Sequence, residues 1–133
     1  MKLKKNDLTS TELSQFIVEG MHEKKAENVV VLDLRKIHNA ISDFFVIASG
    51  NSDTQIDAIA DSVEEVVNKK SGQNPYNREG KQNKEWILLD YVDVVVHVFK
   101  KDVRSFFDIE ALWGDAEFLY YGDDLKPSKT PLK

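Results

Sequence analysis

Cysteine is absent from the 133 residues, which excludes a disulfide framework and any thiolate metal site. Long hydrophobic runs are missing as well. No apolar stretch approaches the ~18–20 residues that a membrane span requires, and no signal-peptide core follows residues 1–6. A cytoplasmic protein is the expectation. Basic charge is scarce: the formal net charge is −5. This disfavours non-specific binding to phosphate backbones, which depends on clustered lysine and arginine. The shortage is concentrated in the second half. Across residues 85–124, ten aspartates and glutamates face only Lys100, Lys101 and Arg104. That imbalance favours a basic partner, and a protein rather than bare RNA. No internal repeat or low-complexity segment appears, and the length suits one domain with a sizeable core.

What is present is organised around residues 85–99, EWILLDYVDVVVHVF. This stretch reads as two strands joined by a tight turn at Tyr91, Val92 and Asp93. In the first strand Trp86, Leu88 and Asp90 alternate with Ile87, Leu89 and Tyr91. In the second, Val94, Val96 and Val98 alternate with Asp93, Val95, His97 and Phe99. Successive side chains point to opposite faces of a strand. The Val94, Val96, Val98 face can only be core. The other face mixes aromatic, aliphatic and ionisable groups, as surfaces that meet a partner often do.

The rest of the chain frames this pair. Thr9 and Glu12 make a capping box, and Leu13, Phe16, Ile17 and Met21 then recur at helical spacing to about Lys25. Gly20 inside that helix reads as a point of close packing. Residues 28–34 form an unbroken apolar run, as in a central strand covered on both faces. A polar connection over 35–42 leads to a second strand at 43–49. Ser52 and Gln55 give another capping box, opening a helix whose Ile56, Ile59, Ala60, Val63, Val66 and Val67 mark one face. Acidic residues near its start suit the positive end of the helix dipole, and Ser71 with Gly72 ends it. A short strand around residues 75–77 and a mobile turn through Glu79, Gly80 and Lys81 precede the central pair. Asp102 is expected to cap a last helix over 103–113, with Gly114 as its stop. That helix carries apolar groups on more than one side: Val103, Phe106, Phe107, Ile109, Leu112 and Trp113. One face can pack on the sheet, and the surplus needs a second contact or deep burial. Residues 117–121 add a short extended piece. The spacing therefore predicts one α/β domain over 1–121, a mixed sheet with helices mainly on one face, and a disordered tail over 122–133.

Candidate chemistry is thin. Residues 49–53, between a strand and a helix start, could cradle a phosphate on backbone N–H groups, but they lack the GxGxxG or GxxxxGK[ST] spacing. A plain strand-to-helix turn is the simpler reading. Asp90 and Asp93 could hold a divalent metal, yet carboxylates flanking a tight turn more often make Asx-type hydrogen bonds. His97 has no second His or Cys nearby in sequence, so a structural or interface histidine is favoured over a base or ligand. Trp86 and Trp113 could be core, although tryptophan is enriched among interface anchors. No nucleophile–base pair presents itself and no cofactor is called for. The residues favour a binding module over an enzyme.

The apolar run 29–34, SDFFVIASG at 42–50, Glu79–Gly80, Glu85–Trp86, LDY at 89–91, DVVVHVF at 93–99 and FDIEALWG at 107–114 together resemble the ribosomal silencing factor family, also called Iojap-related proteins. The matches are collinear and cover roughly residues 13–115. Phe44 stands where members often carry Tyr, Val92 where many carry Gly, and Phe107 where Tyr is usual, so no hydroxyl hydrogen bond is expected at 44 or 107. The resemblance implies a nucleotidyltransferase-like fold without transferase activity. It also implies binding to the large ribosomal subunit through large-subunit ribosomal protein fourteen, which blocks joining with the small subunit when nutrients run short.

On the strand reading, with the all-valine face as the helix seat, Trp86, Leu88, Val95 and His97 are expected to form the partner-facing patch, with Trp86 an anchor outside the core. Trp113 adds a second anchor, and Asp90, Asp93, Asp108 and Glu110 steer the approach. The alternative is a divergent nucleotidyltransferase holding a metal on Asp43, Asp53 or Asp90. Such an enzyme would need a Gly-Ser turn followed by an Asp-x-Asp pair, which the sequence lacks after Gly50, Asn51 and Ser52. Homodimerisation through the same apolar face would be compatible with either.

Overall fold

The computed structural model describes residues 8–80 and 85–131. Two long helices begin as their caps dictate. Helix α1, Ser10–Glu23, starts where Thr9 Oγ1 accepts from the Glu12 N–H at 3.1 Å while the Glu12 carboxylate accepts from the Thr9 N–H at 3.2 Å. Helix α2, Asp53–Ser71, completes only half of the expected box. Ser52 Oγ accepts from the Gln55 N–H, but the Gln55 side chain reaches past Ser52 to the Asn51 N–H at 2.7 Å. Gly72 closes α2 at φ +77°, donating to the Asn68 carbonyl.

Seven strands make one sheet: β1 Glu27–Asp33, β2 Phe44–Gly50, β3 Asn77–Glu79, β4 Trp86–Asp90, β5 Val94–Lys100, β6 Glu117–Tyr121 and β7 Pro127–Ser128. Their spatial order is β3-β4-β5-β2-β1-β6-β7. Only β2 and β5 run parallel; the other neighbours are antiparallel. The sheet is mixed, as the strand patterns predict.

Register sorts the side chains. Val94, Val96 and Val98 share a face with Phe44, Val46, Ala48, Ile87 and Leu89, and α1 and α2 close over it. The two helices meet at Gly20. A Cβ there would stand 2.7 Å from Val63 Cα, and Ser62 Oγ donates to the Gly20 carbonyl at 2.7 Å. Val30, Leu32, Phe45, Ile47, Val95 and Phe99 point the other way. Two short helices, α3 Lys101–Phe107 and α4 Ile109–Leu112, cover part of that second face through Val103 and Ile109, with Trp113 just beyond.

Several expectations change. Asp102 is not a cap: Lys100 holds the N-cap position, without a side-chain hydrogen bond, and Asp102 lies in the first turn of α3. The single helix expected over 103–113 is two, because Asp108 adopts a left-handed conformation (φ 43°, ψ 54°) that ends α3. Aspartate tolerates that conformation better than most residues. The short strand is Asn77–Glu79, shifted from 75–77. Residues beyond Gly122 do not all leave the fold, since Pro127 and Ser128 pair with Tyr121 and Tyr120. At the start of β4 a Cβ on Gly80 (φ +100°) would stand 2.2 Å from the Trp86 carbonyl oxygen, so only glycine fits. Lys81, assigned to the mobile turn, lies outside the described residues.

Candidate functional site

The second face of the sheet is closed over β1 and β2 but not over β4. Directly opposed residues share a face, so Trp86 stands with Phe99, Leu88 with His97 and Asp90 with Val95. Trp86, Leu88 and Asp90 are half-buried. The Trp86 indole stacks on Phe99 at 4.7 Å between ring centres and meets Phe107 at 5.0 Å, and Phe106 lies edge-on to Phe107. Phe106 is 81% exposed, Phe107 47% and Leu112 76%. These three are the surplus apolar positions of residues 103–113. The α3–α4 unit therefore turns Val103 and Ile109 inward and shows its other aromatic side to solvent.

One arginine fixes that unit. Arg104 donates from Nε and Nη2 to the two carboxylate oxygens of Glu110, at 2.9 and 3.1 Å. Its Nη1 donates to the Asn28 carbonyl at 2.7 Å and to Ser49 Oγ at 2.9 Å. Such a fork-to-fork pair is strong and directional. Glu110 therefore holds α4 against α3 rather than standing free to steer a partner. The other two bases of the acidic half are also engaged, Lys100 on Asp53 and Lys101 on Glu27. Among the described residues no lysine or arginine pairs with Asp93, Asp102 or Asp108, which are exposed.

The sequence-derived set is thus divided. Trp86, Leu88 and Asp90 lie on one stretch of sheet face, with Phe106, Phe107 and Leu112 alongside α3 and α4. Trp113, half-buried, packs edge-on against Phe45 at 5.8 Å. Val95 and His97, expected on the contact surface, are buried at 9% and 5% exposure, so they support the patch from beneath. Asp90 Oδ1 accepts from the Val92 N–H at 2.8 Å, the Asx bond foreseen for this turn. His97 is enclosed by Phe45, Trp86 and Phe99. Burial alone lowers its pKa to about 4, so it is neutral near pH 7. Sequence reasoning missed Arg104 as the clamp; beyond Glu110, its partners are 55 and 76 residues away, which no local pattern reveals.

The alternative site does not assemble. Ser49 Oγ is taken by Arg104 and the Asn51 N–H by Gln55. Asp43 accepts from Ser10 Oγ, Asp53 pairs with Lys100 and Asp90 holds its own turn. Among the described residues no group of three or more His, Cys, Asp or Glu is placed to hold a metal ion. Nor is any helix among them long and apolar enough to cross a membrane.

Fold and surface define an α/β protein with one sheet face sealed and the other ending in an exposed aromatic patch, in an acidic half whose Asp93, Asp102 and Asp108 meet no lysine or arginine among the described residues. The same fold occurs in a crystal structure of a Chromobacterium violaceum protein. That protein is 36% identical, with a TM-score of 0.74 over 80% of this chain and 88% of that one. The family model described as "Ribosomal silencing factor during starvation" matches residues 7–132, and the chain belongs to that family. The ribosomal silencing factor RsfS of Halalkalibacterium halodurans is 43% identical over 109 residues, 82% of this chain and 92% of its own. The chloroplastic Iojap protein of Zea mays is 33% identical, over 84% of this chain and 47% of its own.

Proposed function

We propose that this protein silences ribosomes without catalysis. It docks on the large subunit, chiefly on large-subunit ribosomal protein fourteen, and its bulk then blocks joining with the small subunit under nutrient limitation. The observation that carries the reading is half-buried Trp86 against the exposed Phe107 and Phe106, in a half of the chain where no lysine or arginine among the described residues pairs with Asp93, Asp102 or Asp108. Ribosomal proteins are basic as a class, so carboxylates around an apolar centre give the polar rim and hydrophobic middle of a protein–protein contact. Rim charges act mainly on the association rate. A docking factor needs no transferase machinery, and the free large subunit is a cytoplasmic target.

Light scattering of purified subunits tests this directly. Subunit joining should slow in proportion to added protein, and the protein should co-sediment with free large subunits but not with small ones. Unchanged joining at saturating protein would sink the idea.

A further inference from the structure

His97 is an ionisable side chain buried beneath the patch, and its surroundings argue against a packing role. Val94, Val96 and Val98 fill the opposite face of the same strand without polar atoms. His97 instead buries Nε2 with no hydrogen-bond partner among the described residues. An unpaired buried donor is destabilising. What His97 supplies in return is an acceptor: the Trp86 indole Nε1–H donates to its Nδ1 at 3.1 Å. That bond requires the neutral tautomer with the proton on Nε2. Phe45 meets the imidazole edge-on at 4.7 Å and fixes the ring that fixes the indole.

Trp86 is thereby held by a hydrogen bond on one side and by the Phe99 and Phe107 rings on others. Ordering a side chain before association removes an entropic penalty from binding. We propose that His97 is a positioning residue, holding the Trp86 indole through Nδ1 in the orientation that a docked protein partner meets. The indole N–H is already engaged within the protein. Trp86 therefore offers the partner only carbon surface, and the pocket receiving it is apolar and needs no hydrogen-bond acceptor. This inference rests on the docking function above.

The test is a double-mutant cycle on the full chain. His97→Phe keeps a ring but removes the acceptor, and Trp86→Phe removes the donor. Affinity is read by co-sedimentation with purified large subunits. Exchange of the indole proton is read by NMR, with Trp113→Phe giving the assignment. The wild-type Trp86 indole proton should exchange slowly, and His97→Phe should release it. Each single substitution should weaken binding about tenfold, and the double variant should be little worse than either. Effects that multiply to about a hundredfold, or His97→Phe binding like wild type, would overturn the inference while leaving the docking function intact. Wild-type protein that fails to sediment with large subunits would overturn both. Should His97→Phe not fold, Trp86→Phe decides with the wild-type exchange rate: undiminished binding, or an indole proton exchanging as freely as an exposed one, overturns the proposal.

Discussion

The two faces of the sheet do different work. On the helix-covered face Ile87, Leu89, Val94, Val96 and Val98 are all fully buried, under α1 and α2. On the other face β4 leaves Trp86 and Leu88 half open, and α3 and α4 raise Phe106, Phe107 and Leu112 into water. Strands that alternate identically can thus belong to a core on one side and a half-open surface on the other. The side with the long helices supplies stability, and the side with the short ones gives up some apolar burial to present a surface.

The comparison breaks most sharply under truncation. Leu89→Ala, on the closed face, should cost ~2–5 kcal/mol of folding stability. Phe106→Ala should change stability by no more than ~0.5 kcal/mol while weakening large-subunit binding. Urea unfolding alongside co-sedimentation separates the two. Equal stability losses would mean that α3 and α4 belong to the core as fully as α1 and α2.

The next largest effect is in pH. The folded pKa of His97 is lowered from 6.5 to about 4. Its contribution to stability is therefore complete above pH 6.5 and is lost as pH falls towards 4, where the unfolded chain takes up a proton that the folded one refuses. The loss amounts to ~3 kcal/mol. Unfolding free energies of wild type and His97→Phe should diverge across that window, with the variant showing the flatter profile. Parallel profiles would place His97 in a wetter site than its 5% exposure indicates.

The smallest effect sits at the turn between β4 and β5. Val92 is β-branched yet holds φ +75°, with 60% of its surface exposed. A left-handed residue other than glycine costs ~1–2 kcal/mol, and glycine returns ~0.5–1 of that as unfolded-chain entropy. Val92→Gly should therefore raise stability by ~0.5–1 kcal/mol without touching either face. A lower thermal midpoint would show that the valine side chain makes a contact worth more than the strain.

Much of this was legible locally. The period-2 alternation within residues 86–90 and 94–99 sorted the side chains into the two faces observed, because strand geometry points successive residues to opposite sides. Thr9 and Ser52 marked their helix starts, and Gly20 its close approach. The excess of apolar residues over 103–113 called for a second contact or deep burial, and deep burial is not what Phe106, Phe107 and Leu112 find. Three things were not legible. The break at Asp108 rests on one residue's left-handed backbone, and the role of Glu110 depends on Arg104, whose other partners lie across the sheet at Asn28 and Ser49. The burial of His97 and Val95 depends on elements that arrive from elsewhere, among them the Phe45 ring of β2. The pairing of Pro127 and Ser128 depends on an edge left open by β6, and a proline-bearing polar segment gives no sign of it in sequence.

That last strand bears on a hazard every open sheet faces. An edge with free N–H and carbonyl groups can recruit the edge of another molecule and seed fibrous aggregation. Here both margins are poor templates. At one, β7 is two residues long and Pro127 brings it no N–H. At the other, β3 is three residues long, and the Arg78 guanidinium is drawn back onto Asp61 and Glu64 of α2. A sheet that already leaves aromatic side chains exposed beside one face can least tolerate sticky edges as well. Short, blunted margins leave strand addition little to grip.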